Sequence, residues 1–497
     1  MRQDEAWAIV GKCGRFQLFC FSLFCISKFF VGIQICSPVI VEINKQTAIT
    51  AFGNATNLDL SVTLEYDPPK TEVELTKSIF WVGVMIGNSI LGSYADIYGR
   101  KPLYIGSYLA NIILAVLSSF APSFLLYSFS RFLIGIAQGG MFCVVFTFAN
   151  EFFPKEYWAI SGGVINGMWG FGIALCSYLG YVLQNWRHYL ILTSVPFLFN
   201  VLLVYMFVPE SPRWLCSVNQ LEAAAANLRK IAKLNGKSNY NDIQEIEREE
   251  VSSPKKKKSS AIWKALKVRE YKTILRCAMV TWFVCGITAY YLTYSADHLG
   301  GTVYMNLAFQ GIVEFPVDVL VAVLFGTFKR KSMFILLWIF VVFLLSSLVI
   351  GPILSDTLAD PKSIAKLALA ITTKSSIGAV FGGMWIYTGE IFPTIVRSSS
   401  TGLCSMSARI GAMLSPLLFE LGDKIPLYLL TVAAAFVGFY SYRLPETFQK
   451  PGCDTLEEFR QQVGKGEEIK PEKVKLLEDA SDEPGDEDYE VRTHAWV

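Results

Sequence analysis

The chain contains 497 residues, of which 53% are hydrophobic, and its formal net charge is +2. A soluble domain built from many buried helices would need a polar face on each helix, whereas stretches such as 334–350 are apolar all round. The small net charge gives no reason to predict a nucleic-acid partner. Composition therefore predicts an all-α membrane protein in contact with the lipid bilayer.

Stretches of about 20 apolar residues are long enough to cross the hydrocarbon of a bilayer as helices. We predict twelve such transmembrane helices. They lie at 16–37, 77–97, 103–121, 124–148, 160–183, 188–208, 274–295, 303–326, 333–354, 364–388, 398–421 and 425–444.

Two short motifs occur twice in the chain. Glu151-Phe152-Phe153-Pro154 recurs as Glu390-Ile391-Phe392-Pro393, and Pro209-Glu210-Ser211 recurs as Pro445-Glu446-Thr447. Each copy follows an apolar stretch that can span the membrane. A membrane chain duplicated in this way is typical of transporters whose two lobes rock around a central site.

Composition divides the chain into four segments. Residues 1–215 and 273–446 form the predicted six-helix lobes, joined by a polar cytoplasmic linker at 216–272. Within the linker, we predict a surface helix at Leu221–Leu234, and we expect the lysine run 255–258 to meet anionic lipid headgroups. Residues 447–497 are polar and end in an acidic run, so we predict a disordered cytoplasmic tail.

Lysine and arginine are concentrated in alternate loops, which the positive-inside rule places, together with both termini, in the cytoplasm. The first loop on the other side, 38–76, contains the glycosylation sequon Asn54-Ala55-Thr56 and no cysteine, so we expect no disulfide framework there. The first span lacks a small-residue cleavage site, and we predict that it remains as an anchor in the plasma membrane.

The segment between spans two and three reads Gly92-Ser93-Tyr94-Ala95-Asp96-Ile97-Tyr98-Gly99-Arg100-Lys101. Asp96 ends a helix at the membrane edge, Gly99 permits a tight turn, and Arg100 can pair with a carboxylate on a neighbouring helix. The pattern resembles the Gly-x-x-x-Asp-x-x-Gly-Arg-Lys/Arg signature of the major facilitator superfamily. It implies a charge lock that keeps the cytoplasmic side shut until the lobes rotate. The corresponding segment 326–331 has lost the aspartate and the later glycine, so a second lock is doubtful.

Four further charged residues lie near the ends of spans, Glu151 and Arg213 in the first half and Glu390 and Arg397 in the second. We predict that they belong to the gating clusters. The alternative is that they only mark the cytoplasmic side of the membrane.

The segment 209–215 narrows the resemblance to sugar porters and organic ion transporters. A sugar porter would carry a glutamine pair in span seven, and this chain has none there. Tyr290-Tyr291-Leu292 and Val313-Glu314-Phe315-Pro316 instead resemble the solute carrier family of organic cation, anion and carnitine transporters. That family usually has a long, cysteine-rich loop after span one. This chain differs, because its loop 38–76 contains no cysteine.

Arg409 lies midway along span eleven, where a guanidinium needs a partner. Family members that carry cations have aspartate at the matching place, whereas those that carry organic anions or carnitine have arginine. Lys374 in span ten also fits the pattern of the anion and carnitine transporters. The resemblance and the bidentate donors of Arg409 imply recognition of carboxylate or sulfate. The structural alternative is a permanent ion pair within the protein.

Asp318 lies where the anion transporters commonly have lysine. It either pairs with Arg409 or Lys374, or it accepts the ammonium group of a zwitterion.

The resemblance also places five aromatic residues in the central cavity, although lipid contact or helix packing would explain each of them. These residues are Trp169, Tyr290, Tyr291, Phe381 and Trp385.

The three histidines of the chain are scattered, and no Gly-x-x-x-x-Gly-Lys-Ser/Thr motif supports ATP-driven pumping. We therefore predict no enzyme activity and no role for a cofactor, a metal or ATP. The predicted function is secondary transport of small organic ions, with anions or carboxylate-bearing zwitterions favoured over simple cations. The alternatives are an organic cation transporter, a sugar porter, and a receptor or scaffold of the same fold that transports nothing.

Overall fold

The computed structural model describes residues 9–11, 13–52, 58–153, 157–237, 265–298, 302–354, 364–393, 396–422, 424–448 and 456–463. The sequon at Asn54 and the lysine run 255–258 lie outside these residues. Within the described residues the regular structure is helical and includes no β-strand. This confirms the predicted all-α class.

Twelve helices within the described ranges correspond to the twelve predicted spans. The first six are α1 (Arg15–Val41), α2 (Lys70–Tyr98), α3 (Arg100–Ser119), α4 (Phe124–Asn150), α5 (Trp158–Leu183) and the two-part α6 (Trp186–Leu192 and Phe197–Phe207). The second six are α7 (Arg269–Tyr294), α8 (Val303–Thr327), α9 (Arg330–Leu354), α10 (Ile364–Ile391), α11 (Arg397–Leu414) and α12 (Ile425–Tyr440). Eleven of these regions are long and apolar enough to cross a membrane, and the remaining helix, α5, has 26 residues.

Helix α1 extends past its predicted end at residue 37 and continues through a proline. Pro38 has no N–H to donate to the carbonyl of Gln34, and the hydroxyl of Ser37 donates to that carbonyl instead, at 2.9 Å. Arg131 Nη2 of α4 in turn donates to Ser37 Oγ at 2.8 Å. The end of α1 is thereby tied to α4.

Apart from α5 and α8, which also pack closely against each other, helices α1–α6 pack mainly against one another, as do α7–α12, so the described helices form two lobes. Glycines allow close approach within the first lobe. Gly83 and Gly87 of α2 face Gly135 and Gly139 of α4, and a β-carbon on any of them would lie within 2.4 Å of the backbone of the other helix. Packing of small residues is a common way for membrane helices to associate, because lipid supplies no hydrophobic driving force.

The lobes touch each other along α5–α8 and α2–α11. Gly170 of α5 and Gly311 of α8 meet there, and a β-carbon on either residue would lie 2.3 Å from the carbonyl oxygen of the other. Further along the same two helices, Ser177 donates a hydrogen bond to the carbonyl of Tyr304. At Gly170 and Gly311 the two backbones therefore approach each other without side chains between them.

Two more contacts between the lobes show which side is closed. Trp81 Nε1 of α2 donates to Tyr294 Oη of α7 at 3.0 Å, and Lys70 Nζ donates to the carbonyl of Phe419 at 3.2 Å. We use "terminal face" for the side on which α1 begins and α12 ends, and "opposite face" for the other side. These contacts lie toward the opposite face, where the lobes are closed.

The loop between α1 and α2 is held by an ion pair instead of disulfides. Arg187 Nη2, at the start of α6, donates to Glu65 at 2.5 Å, and Trp186 Nε1 donates to the other oxygen of this carboxylate at 2.7 Å. Arg187 also donates to the carbonyl of Ser119 at 2.6 Å. Burial raises the pKa of Glu65, but its hydrogen bonds outweigh burial and hold the pKa below the ordinary value.

The predicted linker helix Leu221–Leu234 is present with the same bounds. Asn235, which follows it, donates to the carbonyl of Val10 at 3.0 Å and accepts from the N–H of Phe16 at 3.0 Å. Gly14 leaves the necessary space, since a β-carbon there would lie 2.2 Å from the side chain of Asn235. The linker is thus attached to the start of α1.

Part of the segment 447–497, predicted to be a disordered tail, is a helix at Leu456–Val463. Phe459 is buried against Tyr271 of α7, with ring centroids 6.0 Å apart, and Arg460 lies 4.0 Å from Glu270. The expectation of disorder is wrong for these residues. One aromatic side chain in a polar segment gives it enough apolar surface to dock, which the overall acidic composition conceals.

Replacing Gly311 with valine should shift the protein away from this conformation, because the new side chain would meet the backbone at Gly170. We expect the lobes to part at the opposite face. Cys36, which lines the space between the lobes, should then react faster with a membrane-impermeant thiol reagent added on that face. The Cys36→Ser variant supplies the background.

Gly172→Val is the matched control, because Gly172 meets the backbone of Phe29 in the same lobe, at 2.2 Å from a β-carbon. It should lower thermal stability without exposing Cys36. Unchanged labelling of Cys36 in Gly311→Val would show that the glycine contact does not hold the lobes in this state.

Candidate functional site

A cavity of about 850 Å³ lies between the two lobes. Its wall is formed by α1, α2, α4, α5 and the first residue of α3 in the first lobe, and by α7, α8, α10 and α11 in the second. Toward the terminal face the wall includes Asp96, whose side chain is 72% exposed. Toward the opposite face the Trp81–Tyr294 contact closes the space. The cavity is therefore accessible from the terminal face.

Arg409 of α11 lies in the wall of this cavity and is 8% exposed. Its Nη1 donates to the carbonyl of Ser405 in the same helix at 3.3 Å, and its guanidinium lies 5.2 Å from the ring centroid of Phe142. Among the described residues, no carboxylate oxygen lies within 4.0 Å of Arg409, and its Nε has no hydrogen-bond partner. The permanent ion pair considered as the structural alternative is not formed there.

Lys374 of α10 has the acidic partner that Arg409 lacks. Its Nζ lies 3.2 Å from Oε1 of Glu314 on α8, and both side chains are mostly buried. Sequence reasoning placed Lys374 at the site but omitted Glu314 from it. No sequence signal shows that α8 and α10 bring together two residues that are 60 positions apart.

Asp318 lies one turn after Glu314 on α8 and also lines the cavity. Neither of its predicted pairings, with Arg409 or with Lys374, is formed. In the part of the chain that the structure describes, no basic nitrogen lies within 4.0 Å of its carboxylate. The cavity thus contains an aspartate and an arginine that do not neutralise each other by direct contact.

Lys28 of α1 is a cavity residue that sequence reasoning missed. Its Nζ lies 5.2 Å from the ring centroid of Phe142 and 5.5 Å from that of Trp169. The described acidic side chains all lie more than 4.0 Å from this nitrogen. A lysine inside the first apolar stretch is the sequence signal for such a site, because charges within spans rarely face lipid.

Four of the five predicted aromatic residues line the cavity, namely Trp169, Tyr290, Phe381 and Trp385. Tyr291 does not, and its ring stacks on Phe419 with the centroids 4.8 Å apart. Successive residues of an α-helix point about 100° away from each other, so Tyr290 and Tyr291 cannot both face the same space. The prediction for Tyr291 is therefore corrected to a packing role.

A charge cluster at the terminal face explains the signature at 92–101. Gly99 has a φ of +110°, and a β-carbon there would lie 2.4 Å from Glu210. The absent side chain lets Glu210 accept a hydrogen bond from the backbone N–H of Arg100 at the start of α3. Arg100 Nη1 lies 2.8 Å from Asp96, and its Nε lies 3.2 Å from Glu151. The signature thus places one arginine between two acidic side chains.

The second lobe repeats much of this cluster, although its sequence made a second lock doubtful. Arg330 Nε lies 3.2 Å from Glu390, and Glu446 accepts hydrogen bonds from the backbone N–H groups of Arg330 and Lys331 at the start of α9. Loss of the aspartate and the glycine therefore removes only part of the arrangement.

The two remaining predicted gating arginines contact backbone carbonyls. Arg213 Nη2 donates to the carbonyl of Phe153 at 3.0 Å, and Arg397 Nε donates to that of Phe392 at 3.1 Å. These contacts and the ion pairs of both clusters join residues of a single lobe. This is the arrangement expected when the lobes are parted at the terminal face.

Two six-helix lobes around a central cavity that opens to one side of the membrane define a secondary transporter of the major facilitator fold. The fold is similar to that of the xylose transporter XylE from E. coli in an inward-open conformation, with a TM-score of 0.66 and 17% sequence identity over 90% of this chain and 99% of that one. Residues 39–459 match the family described as sugar (and other) transporter.

Sequence comparison resolves the family further. The chain is 31% identical to a solute carrier family 22 member 15-like protein of Xenopus laevis, over 94% of this chain and 99% of that protein. It is 30% identical to an organic cation transporter protein of Drosophila melanogaster, over 77% of this chain and 70% of that protein. The chain therefore belongs to solute carrier family 22, as its motifs predicted, and is a membrane transporter and not an enzyme.

Replacing Asp96 with alanine should lower the maximum transport rate and leave KM nearly unchanged. Asp96 lies at the mouth of the cavity and binds Arg100 at 2.8 Å, so its loss affects closure of the lobes more than cargo binding. Initial rates of uptake into proteoliposomes would separate the two quantities. Glu72→Ala, an exposed acid at the other end of the same helix, is the control and should change neither. An unaltered maximum rate in Asp96→Ala would remove Asp96 from gating.

Proposed function

We propose that this transporter carries small organic ions that bear a carboxylate or a similar anionic group, as anions or zwitterions, in preference to simple cations. Arg409 supports this preference, because it is buried in the cavity wall and no carboxylate of the described residues lies within 4.0 Å of it. A charge near the centre of a membrane helix costs roughly 2.5–3.5 kcal/mol on the insertion scale. A carboxylate on the cargo would offset much of that cost.

The shape of the guanidinium also suits an oxyanion. Its planar donors can hold both oxygens of a carboxylate at once, which an ammonium group cannot do. The Nε of Arg409 is buried without a hydrogen-bond partner, so the described protein does not satisfy all donors of the guanidinium. Lys374 is less suitable, because Glu314 already neutralises it at 3.2 Å.

Asp318 supports zwitterions as well as simple anions. Its carboxylate faces the cavity without an ion pair to any described residue, so it can accept an ammonium group. The rings of Trp169 and Tyr290 add apolar surface that also attracts cations. A carnitine-like molecule would use both charges. Family membership alone leaves the sign of the cargo open, since the Drosophila relative is named for organic cations.

We also propose that the terminal face is cytoplasmic and that the protein works in the plasma membrane. The concentration of Lys and Arg in loops such as 100–101 and 329–331 supports this orientation. The present conformation is then inward-facing, and rocking of the lobes at the α5–α8 contact would open the other side. The gradient of the cargo, or exchange for a counter-substrate, would drive the cycle.

Replacing Arg409 with aspartate should reduce uptake of a labelled monocarboxylate at least tenfold, and uptake of a labelled quaternary ammonium ion much less. The expected change corresponds to about 1.4 kcal/mol or more, a modest loss for a charge-assisted contact. Arg409→Lys keeps the charge but loses the planar donors. Its uptake of the monocarboxylate should fall between that of the unsubstituted protein and that of Arg409→Asp. Uptake of both probes and of a carnitine-like zwitterion is measured in the same proteoliposomes.

Equal loss of the anionic and the cationic probe would instead make Arg409 a structural residue. Uptake of a labelled hexose would favour a sugar porter. Absence of flux for every probe, despite correct insertion of the protein, would favour a receptor or scaffold that does not transport.

A further inference from the structure

We propose that Lys28 determines specificity for anions, because it forms with Arg409 a single oxyanion subsite to which each lobe contributes one cation. This inference rests on the proposed function and adds a second recognition residue to it. The occupant is a carboxylate or another oxyanion whose oxygen atoms are shared between the two side chains.

The two cations lie near the same aromatic ring. Lys28 Nζ and Arg409 Cζ are each 5.2 Å from the ring centroid of Phe142, so their separation is at most twice this distance. Both side chains line the cavity. Lys28 belongs to α1 of the first lobe and Arg409 to α11 of the second, so a group held by both would join the lobes.

Neither cation forms an ion pair with any of the described acidic residues. Asp318 lines the same cavity but lies more than 4.0 Å from both, and Glu314 is engaged by Lys374 at 3.2 Å. Contact with an aromatic ring stabilises a cation by less than a charge costs in a membrane helix. Two like charges in one cavity also repel each other. An oxyanion between them would offset both the cost of placing the charges in the membrane and the repulsion between them.

The first experiment compares variants of Lys28 in proteoliposomes that contain the full chain. Lys28→Met removes the charge and keeps the length, Lys28→Gln keeps a polar group, and Lys28→Arg keeps the charge. The two uncharged variants should raise KM for a labelled monocarboxylate about tenfold, with KM for a quaternary ammonium ion almost unchanged, and Lys28→Arg should restore most of the carboxylate affinity. Lys272→Met, at an exposed position near the start of α7, is the control.

The second experiment asks whether the two cations hold the same group. If they share one oxyanion, Lys28→Met combined with Arg409→Gln should raise KM by less than the product of the two single effects. Effects that multiply in full would overturn the shared subsite. Equal loss of carboxylate and ammonium transport in Lys28→Met and Lys28→Gln would overturn its role in specificity.

Failure of the proposed function would look different. In that case the unsubstituted protein would show no preference for the carboxylate probe over the ammonium probe, whatever the Lys28 variants do. A carboxylate preference that is undiminished in both uncharged variants would refute only the inference about Lys28.

Discussion

The cost of placing a charge in hydrocarbon is the constraint that best explains this structure. Some buried charges are paired within the protein. Arg131 lies 3.9 Å from Glu42, and Lys374 lies 3.2 Å from Glu314. Three charges deep inside the membrane helices have no such partner among the described residues and lie in the wall of the central cavity. These are Lys28, Asp318 and Arg409. The same constraint that fixes the paired charges in the scaffold thus marks the unpaired ones as candidates for contact with cargo.

The duplicated motifs join the ends of helices within each lobe. Glu210 and Glu446 accept hydrogen bonds from the first N–H groups of α3 and α9, where a helix carries partial positive charge. Glu151 and Glu390 bind the arginines that begin the same two helices. Lobes whose helix ends are joined in this way can move as rigid bodies. Rigid lobes would concentrate motion at their interface, where Gly170 and Gly311 bring the backbones of α5 and α8 into direct contact.

Sequence patterns predicted the features that depend on a single residue or a single helix. The twelve spans, the linker helix and the charge at Arg409 belong to this group. Features that depend on the rotation of one helix against another were not predictable. Tyr290 reaches the cavity and Tyr291 does not, and Glu314 meets Lys374 only because α8 packs on α10. Lys28 was not predicted for a different reason, since the length of the first apolar stretch identifies a span but does not show which way a charge within it faces.

Under the proposed function, the cargo supplies a missing charge at a place that both lobes share. Arg409 and Asp318 belong to the second lobe and Lys28 to the first. Without cargo, Lys28 and Arg409 would repel each other across the lobe interface, and this repulsion would oppose closure at the terminal face. A bound oxyanion would change the interaction from repulsion to attraction and so would favour closure. The charges that select the cargo would therefore also control when the lobes move, which would favour exchange over reorientation of the empty protein.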